Sequence, residues 1–161
     1  MISTRTKIAT GSASLLAVAA AVTVPALLGS ATAATAPNGF TVRAVQGADT
    51  TIDAGRPGFS SGDDELGTMH LVRAGKSVGW GVTECRTVHV GRQAEQLCTF
   101  ALHFGNGQIV ATGAVRSGQR GPGTFSLAIT GGTGHFREAR GELLVTATNG
   151  RSVPLTVELA G

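Results

Sequence analysis

Tyrosine is missing from this 161-residue chain, and tryptophan occurs once, at Trp80. Without those two side chains in number, an aromatic platform for carbohydrate is excluded. Cysteine is nearly as scarce, with only Cys85 and Cys98. Two thiolates without neighbouring histidines do not complete the tetrahedral set of a metal site. His70, His89, His103 and His135 lie on four separate segments, without the close spacing of paired ligands. No metal and no cofactor are therefore expected. Ser60, Ser61 and Ser126 lack the strand-turn-helix setting of a hydrolase nucleophile.

The first segment is of a different kind from the rest. Arg5 and Lys7 form a short basic head, Ile8 to Gly29 is rich in Ala, Val and Leu but broken by Pro25, and Ala31-Thr32-Ala33 is a small-x-small cleavage signal. This pattern predicts a secretory signal peptide over residues 1–33 and a secreted protein. A twin arginine is absent, which favours the general route of export. The remaining 128 residues keep 11 of the 13 Lys+Arg and all 10 Asp+Glu, a net charge of +1 in place of +3. With no basic cluster on any predicted strand, a nucleic-acid partner is excluded, and no membrane contact is expected once the signal is cleaved.

Residues 34–39 read as a flexible leader and 40–161 as a single domain. From Phe40 onward, short β-type runs alternate with glycine-containing breaks about every ten residues, which predicts an all-β sandwich or barrel. Strands are expected near 40–46, 49–54, 66–73, 78–90, 95–104, 107–115, 124–130, 136–147 and 152–160. No ten-residue stretch free of glycine carries a helical apolar period. Asn106-Gly107, between Phe104 and Ile109, predicts a hairpin through a type I′ turn.

A second hairpin tests itself against the cysteines. If its turn centres on Gly91-Arg92, residues whose numbers sum to 183 face one another, and Cys85 and Cys98 meet that condition. Facing Cβ atoms lie within reach of a disulfide, which suits an exported chain; a free thiol at one or both positions is the alternative. The same register puts Gly79, Gly81, Thr83 and Cys85 opposite Phe104, Leu102, Phe100 and Cys98, the inner face. Val78, Trp80, Val82, Glu84 and Arg86 then face outward with His103, Ala101, Thr99 and Leu97.

Gly131, Gly132 and Gly134 stand within four residues of one another, and Gly141 follows one short run later. A phosphate-cradling loop would need a helix after the glycines, whereas Glu142 to Thr148 is β-prone, so a tight turn between antiparallel strands is expected. In order along the chain come Ser61-Gly62-Asp63, Val82-Thr83-Glu84-Cys85, Phe104-Gly105-Asn106-Gly107-Gln108-Ile109, Ile129-Thr130-Gly131-Gly132-Thr133-Gly134 and Ala139-Arg140-Gly141. Together these resemble the allene oxide cyclase and dirigent families over about 100 residues. The resemblance implies an all-β fold, an eight-stranded antiparallel up-and-down barrel with an apolar lumen. It also implies a homo-oligomer, trimer or dimer, and confinement of a short-lived intermediate during ring closure or coupling.

The family's chemistry transfers only in part. Cys85 matches a pocket cysteine of the cyclases, but Cys98 stands opposite it. The first strand, Phe40 to Gln46, lacks the cyclases' glutamate, so plant-type cyclisation is not expected. Dirigent pockets pair acids with an arginine that Arg140 could match, and their tyrosines have no counterpart. Asp63 and Arg140 are the catalytic candidates. Asp63 reads either as a pocket-mouth acid with a raised pKa or as a turn carboxylate capping backbone N–H groups. Arg140 reads either as a ligand-facing cation or as a surface ion pair with Glu138 or Glu142. Phe100, Leu102, Phe104 and Thr83 are the expected ligand-binding wall.

The reading that follows is a secreted barrel that binds a small hydrophobic, reactive molecule in its lumen and steers its cyclisation or coupling. The alternatives are a non-catalytic, lipocalin-like carrier and an extracellular structural domain. Lumen volume, and whether Asp63, Glu84, Arg73 or Arg140 reaches the lumen, discriminates among the three.

Overall fold

The computed structural model describes residues 38–118, 123–147 and 150–161; the predicted signal peptide lies outside them. Eight strands follow in order: β1 (Asn38–Ile52), β2 (Asp64–Arg73), β3 (Lys76–Val90), β4 (Ala94–Phe104), β5 (Gly107–Ser117), β6 (Thr124–Gly134), β7 (Gly141–Thr146) and β8 (Ser152–Leu159). Each pairs with the next in antiparallel fashion, and β8 returns to β1 from Asn38↔Leu159 to Val45↔Ser152, closing the barrel. Closure leaves no strand edge unpaired. Alternation then decides the rest: Val42 and Ala44 on β1, Cys98, Phe100, Leu102 and Phe104 on β4, and Leu155 and Val157 on β8 all point inward and are buried.

The register predicted for β3 and β4 holds from Gly79↔Phe104 through Cys85↔Cys98 to Thr87↔Gln96. Beyond it the pairing shifts by one at Val88, and a three-residue link, Gly91 to Gln93, closes the hairpin. Cys85 and Cys98 form a disulfide. Trp80 lies against His103 on the outer face, ring centroids 5.2 Å apart.

Several sequence expectations are corrected, two of them through bulges. The two runs predicted at 40–46 and 49–54 are one strand, β1, with a bulge between Gln46 and Asp49. That strand begins at Asn38, so the last two residues of the predicted leader are already in the ladder. Val78, expected on the outer face, is the extra residue of a second bulge, where Leu71↔Gly79 is followed by Val72↔Ser77. It packs against the core, because one extra residue reverses the facing of the local backbone.

The glycine cluster is not a turn between strands. Gly131 to Gly134 extend β6 and pair with Gly107 to Val110 of β5. A Cβ at Gly132 would run into the carbonyls of Gln108 and Phe136, and Gly134 has φ +59°. The turn comes one step later, at residues 135–138, so β7 starts at Gly141 and not near 136. The Asn106-Gly107 hairpin also differs. Its link is Gly105-Asn106, neither with positive φ, whereas Ala74 (φ 48°) and Gly75 (φ 74°) carry the type I′ signature between β2 and β3.

Candidate functional site

The barrel interior is neither hollow nor packed throughout. One end is ringed by the start of β1, the β2–β3 and β4–β5 turns, the β6–β7 connection and the end of β8. There a cavity of about 460 Å³ opens, walled by Phe40, Val42, Val78, Phe104, Phe136 and Leu159. At the opposite end a second cavity of about 270 Å³ is walled by Met69, Phe100, Phe125, Val145, Val153 and Leu155.

A sealed layer separates the two. On β2, Leu71 lies between Met69 and Arg73; on β4, Leu102 lies between Phe100 and Phe104; on β8, Val157 lies between Leu155 and Leu159. Each of the three is fully buried and lines neither cavity, as are Ile109 and Leu143. In each case the residues two positions away belong to opposite cups, so these side chains form a common floor.

The larger cup is an aromatic box. Phe40 meets Phe104 edge-on at 5.5 Å between centroids, and Phe136 lies 6.2 Å from Phe40 and 5.6 Å from Phe104. Phe136 comes from the turn after β6, held over the mouth by its N–H donating to Thr133 O at 3.0 Å and by His135 N–H donating to Asn106 O at 2.9 Å. Arg73, two residues beyond Leu71 on the inward-facing side of β2, places its guanidinium 5.7 Å from the Phe40 ring centroid, a cation–π distance. Among the described residues Arg73 has no carboxylate partner, and with His135, Asn38 and Asn106 it makes the polar part of the lining.

The residues singled out from the sequence divide among these places. Phe104 belongs to the aromatic cup, Phe100 and Thr83 to the smaller one, and Leu102 to the floor. Glu84 faces outward, paired with Thr99. Arg140 is exposed and lines neither cup; its carbonyl accepts from Ala160 N–H at 2.9 Å. The ion pair expected of it is absent among the described residues, where Glu138 instead meets Arg137 at 3.6 Å. Phe40, Phe136 and Val78 were not in the predicted wall. The signal available for them was composition: five of the six phenylalanines serve one cup or the other, and only Phe59 stands largely exposed.

Asp63 is buried in the β1–β2 loop, away from both cups. Its carboxylate accepts from Ser60 N–H at 2.6 Å, Ala54 N–H at 3.1 Å and Ser60 Oγ at 3.2 Å. Its backbone ties the loop to β3, with Thr87 N–H donating to Asp63 O at 2.9 Å. The Ser60 N–H holds the carboxyl below its ordinary 3.8, with the Ala54 and Ser60 side-chain bonds adding and burial opposing. A proton donor needs the reverse shift, so Asp63 is a loop-ordering carboxylate.

The sign of the pH effect follows. A folded pKa below the unfolded one stabilises fully above about 3.8 and is lost as pH falls further, through the folded value. Asp63→Asn is expected to be less stable than the native chain at pH 7 in urea unfolding. The gap should narrow as pH drops below about 3.8; a gap constant from pH 7 to 2.5 would rule out this role.

In fold, the chain is a closed eight-stranded antiparallel barrel that solved dirigent proteins and cyclase barrels share. It is similar to a pyocyanin demethylase, with 26% identity, TM-score 0.69, and coverage of 76% of this chain and 99% of that one. It is also similar to the Diels Alderase AbmU from Streptomyces koyangensis (16% identity, TM-score 0.57, 75% and 64% covered). A pterocarpan synthase dirigent protein aligns at 13% identity, TM-score 0.59, over 81% of this chain and 99% of that one. No protein-family model matches the sequence, and neither does any curated protein.

Proposed function

We propose that the barrel binds a planar hydrophobic molecule in the cup of Phe40, Phe104 and Phe136 and steers its cyclisation or coupling. The observation that carries this reading is the convergence of three rings and an unpaired Arg73 on one cavity of about 460 Å³, closed below by a sealed floor. A largely apolar cavity with a few convergent polar groups is the form small-molecule sites take. The rings supply flat contact area. Arg73 supplies a full positive charge for a carboxylate, phenolate or enolate oxygen, and the asparagines at the rim offer amide donors.

Confinement is the catalytic resource such a cup offers. A flexible intermediate pressed between rings is held in a few conformations, and a dry floor keeps water from intercepting it. Arg73 would stabilise negative charge that develops on an oxygen as the ring closes, and His135 at the rim is the lining group suited to proton transfer. Neighbouring barrels that carry the words Diels Alderase and pterocarpan synthase in their names support ring formation as the reaction class. The pyocyanin demethylase likeness supports a flat aromatic guest. Residues 1–33 and the disulfide support an exported protein, and the family resemblance supports a trimer or dimer.

The test uses two naphthalene dyes of similar shape, anionic 8-anilinonaphthalene-1-sulfonate and neutral N-phenyl-1-naphthylamine, titrated by fluorescence. The anion is expected to bind with one-to-one stoichiometry, and Arg73→Met to weaken it roughly tenfold, since a hydrogen bond to a charged group contributes about 1.5–3 kcal/mol. The neutral dye should bind both proteins alike. Equal affinity for the anion in wild type and Arg73→Met would sink the assignment.

A further inference from the structure

We propose that the opposite end of the barrel is a second, independent ligand site, built for a compact hydrophobic cation such as a protonated arylalkylamine. The floor of Leu71, Leu102, Ile109, Leu143 and Val157 separates it from the aromatic cup, and the two cavities share no lining residue. Its walls are Met69, Phe100, Phe125, Val145, Val153 and Leu155, with the Phe100 and Phe125 rings edge to face at 6.4 Å. Among the described residues its one charged lining side chain is Asp49. The two ends therefore have opposite polarity, a guanidinium at one and a carboxylate at the other.

The carboxylate is placed there by the β1 bulge. Gln46 pairs with Met69 and Asp49 with Gly67, so Gly47 and Ala48 on β1 stand against Thr68 alone on β2. Met69 and Gly67 share the inner face of β2, so the extra residue turns both Gln46 and Asp49 inward, where an unbroken strand would have sent one of them out. Thr68 satisfies the bulge: Ala48 N–H donates to Thr68 Oγ1 at 2.9 Å, and that hydroxyl donates to Ala48 O at 3.3 Å. Gln46 Nε2 donates to Asp49 Oδ2, which fixes the carboxylate, and among the described residues no hydrogen bond reaches Oδ1.

Oδ1 and Thr83 Oγ1 both lie close to the bare Cα of Gly67. A Cβ on Gly67 would lie 3.3 Å from Asp49 Oδ1 and 2.7 Å from Thr83 Oγ1. Two oxygens thus converge on a bare Cα at the mouth of an apolar cup, with no N–H or cation of the described residues between them. An ammonium donates to both and is attracted by one full negative charge. Its apolar group then fits the space between the Phe100 and Phe125 rings and Met69. The volume of about 270 Å³ suits a single ring with a short tether.

Met69 makes the site readable, because the chain has only one other methionine, Met1. In protein labelled with 13C-methyl methionine, benzylammonium is expected to shift the Met69 methyl saturably, at least tenfold more tightly than benzoate or benzyl alcohol. Asp49→Asn should remove that preference, and Gly67→Ala, whose methyl would push Thr83 Oγ1 away from Asp49, should weaken binding. Arg73→Met should change nothing. An unmoved Met69 methyl, equal affinity for amine and benzoate, a preference that survives Asp49→Asn, or a response lost in Arg73→Met would each overturn the proposal. Because the anionic dye reports on the other cup, failure here leaves the Arg73 assignment standing, and the reverse.

Discussion

An unfolding temperature roughly 10 °C lower is the expected result of replacing Cys85 and Cys98 together with alanine. The bond joins neighbouring strands that the β3–β4 ladder already holds in register, so its main effect falls on the unfolded chain. Closing a loop with a sequence separation of 13 removes conformational freedom equivalent to about 3 kcal/mol. On a domain of this size each kcal/mol moves the midpoint by about 3–4 °C. Cys98 is 2% exposed and sits on the inner face beside Phe100, so the double variant also loses some packing. Thermal unfolding by circular dichroism measures the drop, and a shift under about 2 °C would mean that the unfolded chain is already compact across this hairpin. The same bond predicts that the protein does not react with a thiol reagent until it is reduced, since no free cysteine is present.

The second large effect is expected from Leu102→Ala, at about 3–4 kcal/mol of stability in urea unfolding. Leu102 is fully buried and faces Gly81, where an added Cβ would come within 3.1 Å of its Cδ2. A bare glycine opposite leaves Leu102 and Met69 to fill the space over it, and truncation of the leucine leaves a void that the ladder backbone cannot close around. The loss then contains both the transfer of the leucine side chain and the energy of the cavity. The variant has a second expected property. With part of the floor gone the cups communicate, so benzylammonium and the anionic dye should begin to affect each other's affinity, which they do not in the native chain. A loss below about 1.5 kcal/mol would show that the layer between the cups is not packed at native density.

The aromatic cup and the floor differ in how far they could be foreseen. The inward facing predicted for Phe100, Leu102 and Phe104 on β4 is observed, because alternation along one strand is a local property and the cysteines fixed its phase. Membership in a site is not local. Phe104 joins Phe40 from β1, Phe136 from the β6–β7 turn and Arg73 from β2, residues far apart in sequence whose meeting depends on barrel closure. The same closure assigns Phe100, four residues from Phe104, to a different cavity. Arg140, attractive for its place in a glycine-rich signature, lies where the chain leaves the barrel, with its side chain toward solvent.

The bulges explain two of the remaining misreadings. Gln46, Asp49 and Val78 all sit where one extra residue shifts the two-residue period, and composition carries no mark of that shift at these positions. Glycine at position 47 fits a strand end as well as a bulge. Asp63 shows the complementary case. Its residue type and turn setting were legible, but the burial that made it a loop-ordering carboxylate depends on the docking of the β1–β2 loop onto β3.

By itself, then, the sequence determined the strand character of the chain, the β3–β4 register and the pairing of its two cysteines. These follow from side-chain alternation and from turn chemistry within some twenty residues. Only the tertiary structure decided that the lumen is split into two cups of opposite polarity. That outcome needs eight strands to close with a particular stagger, so that large side chains from β2, β4, β5, β7 and β8 meet at one level while rings and charges gather above and below it. The stagger is a property of all the ladders together, and no single segment encodes it.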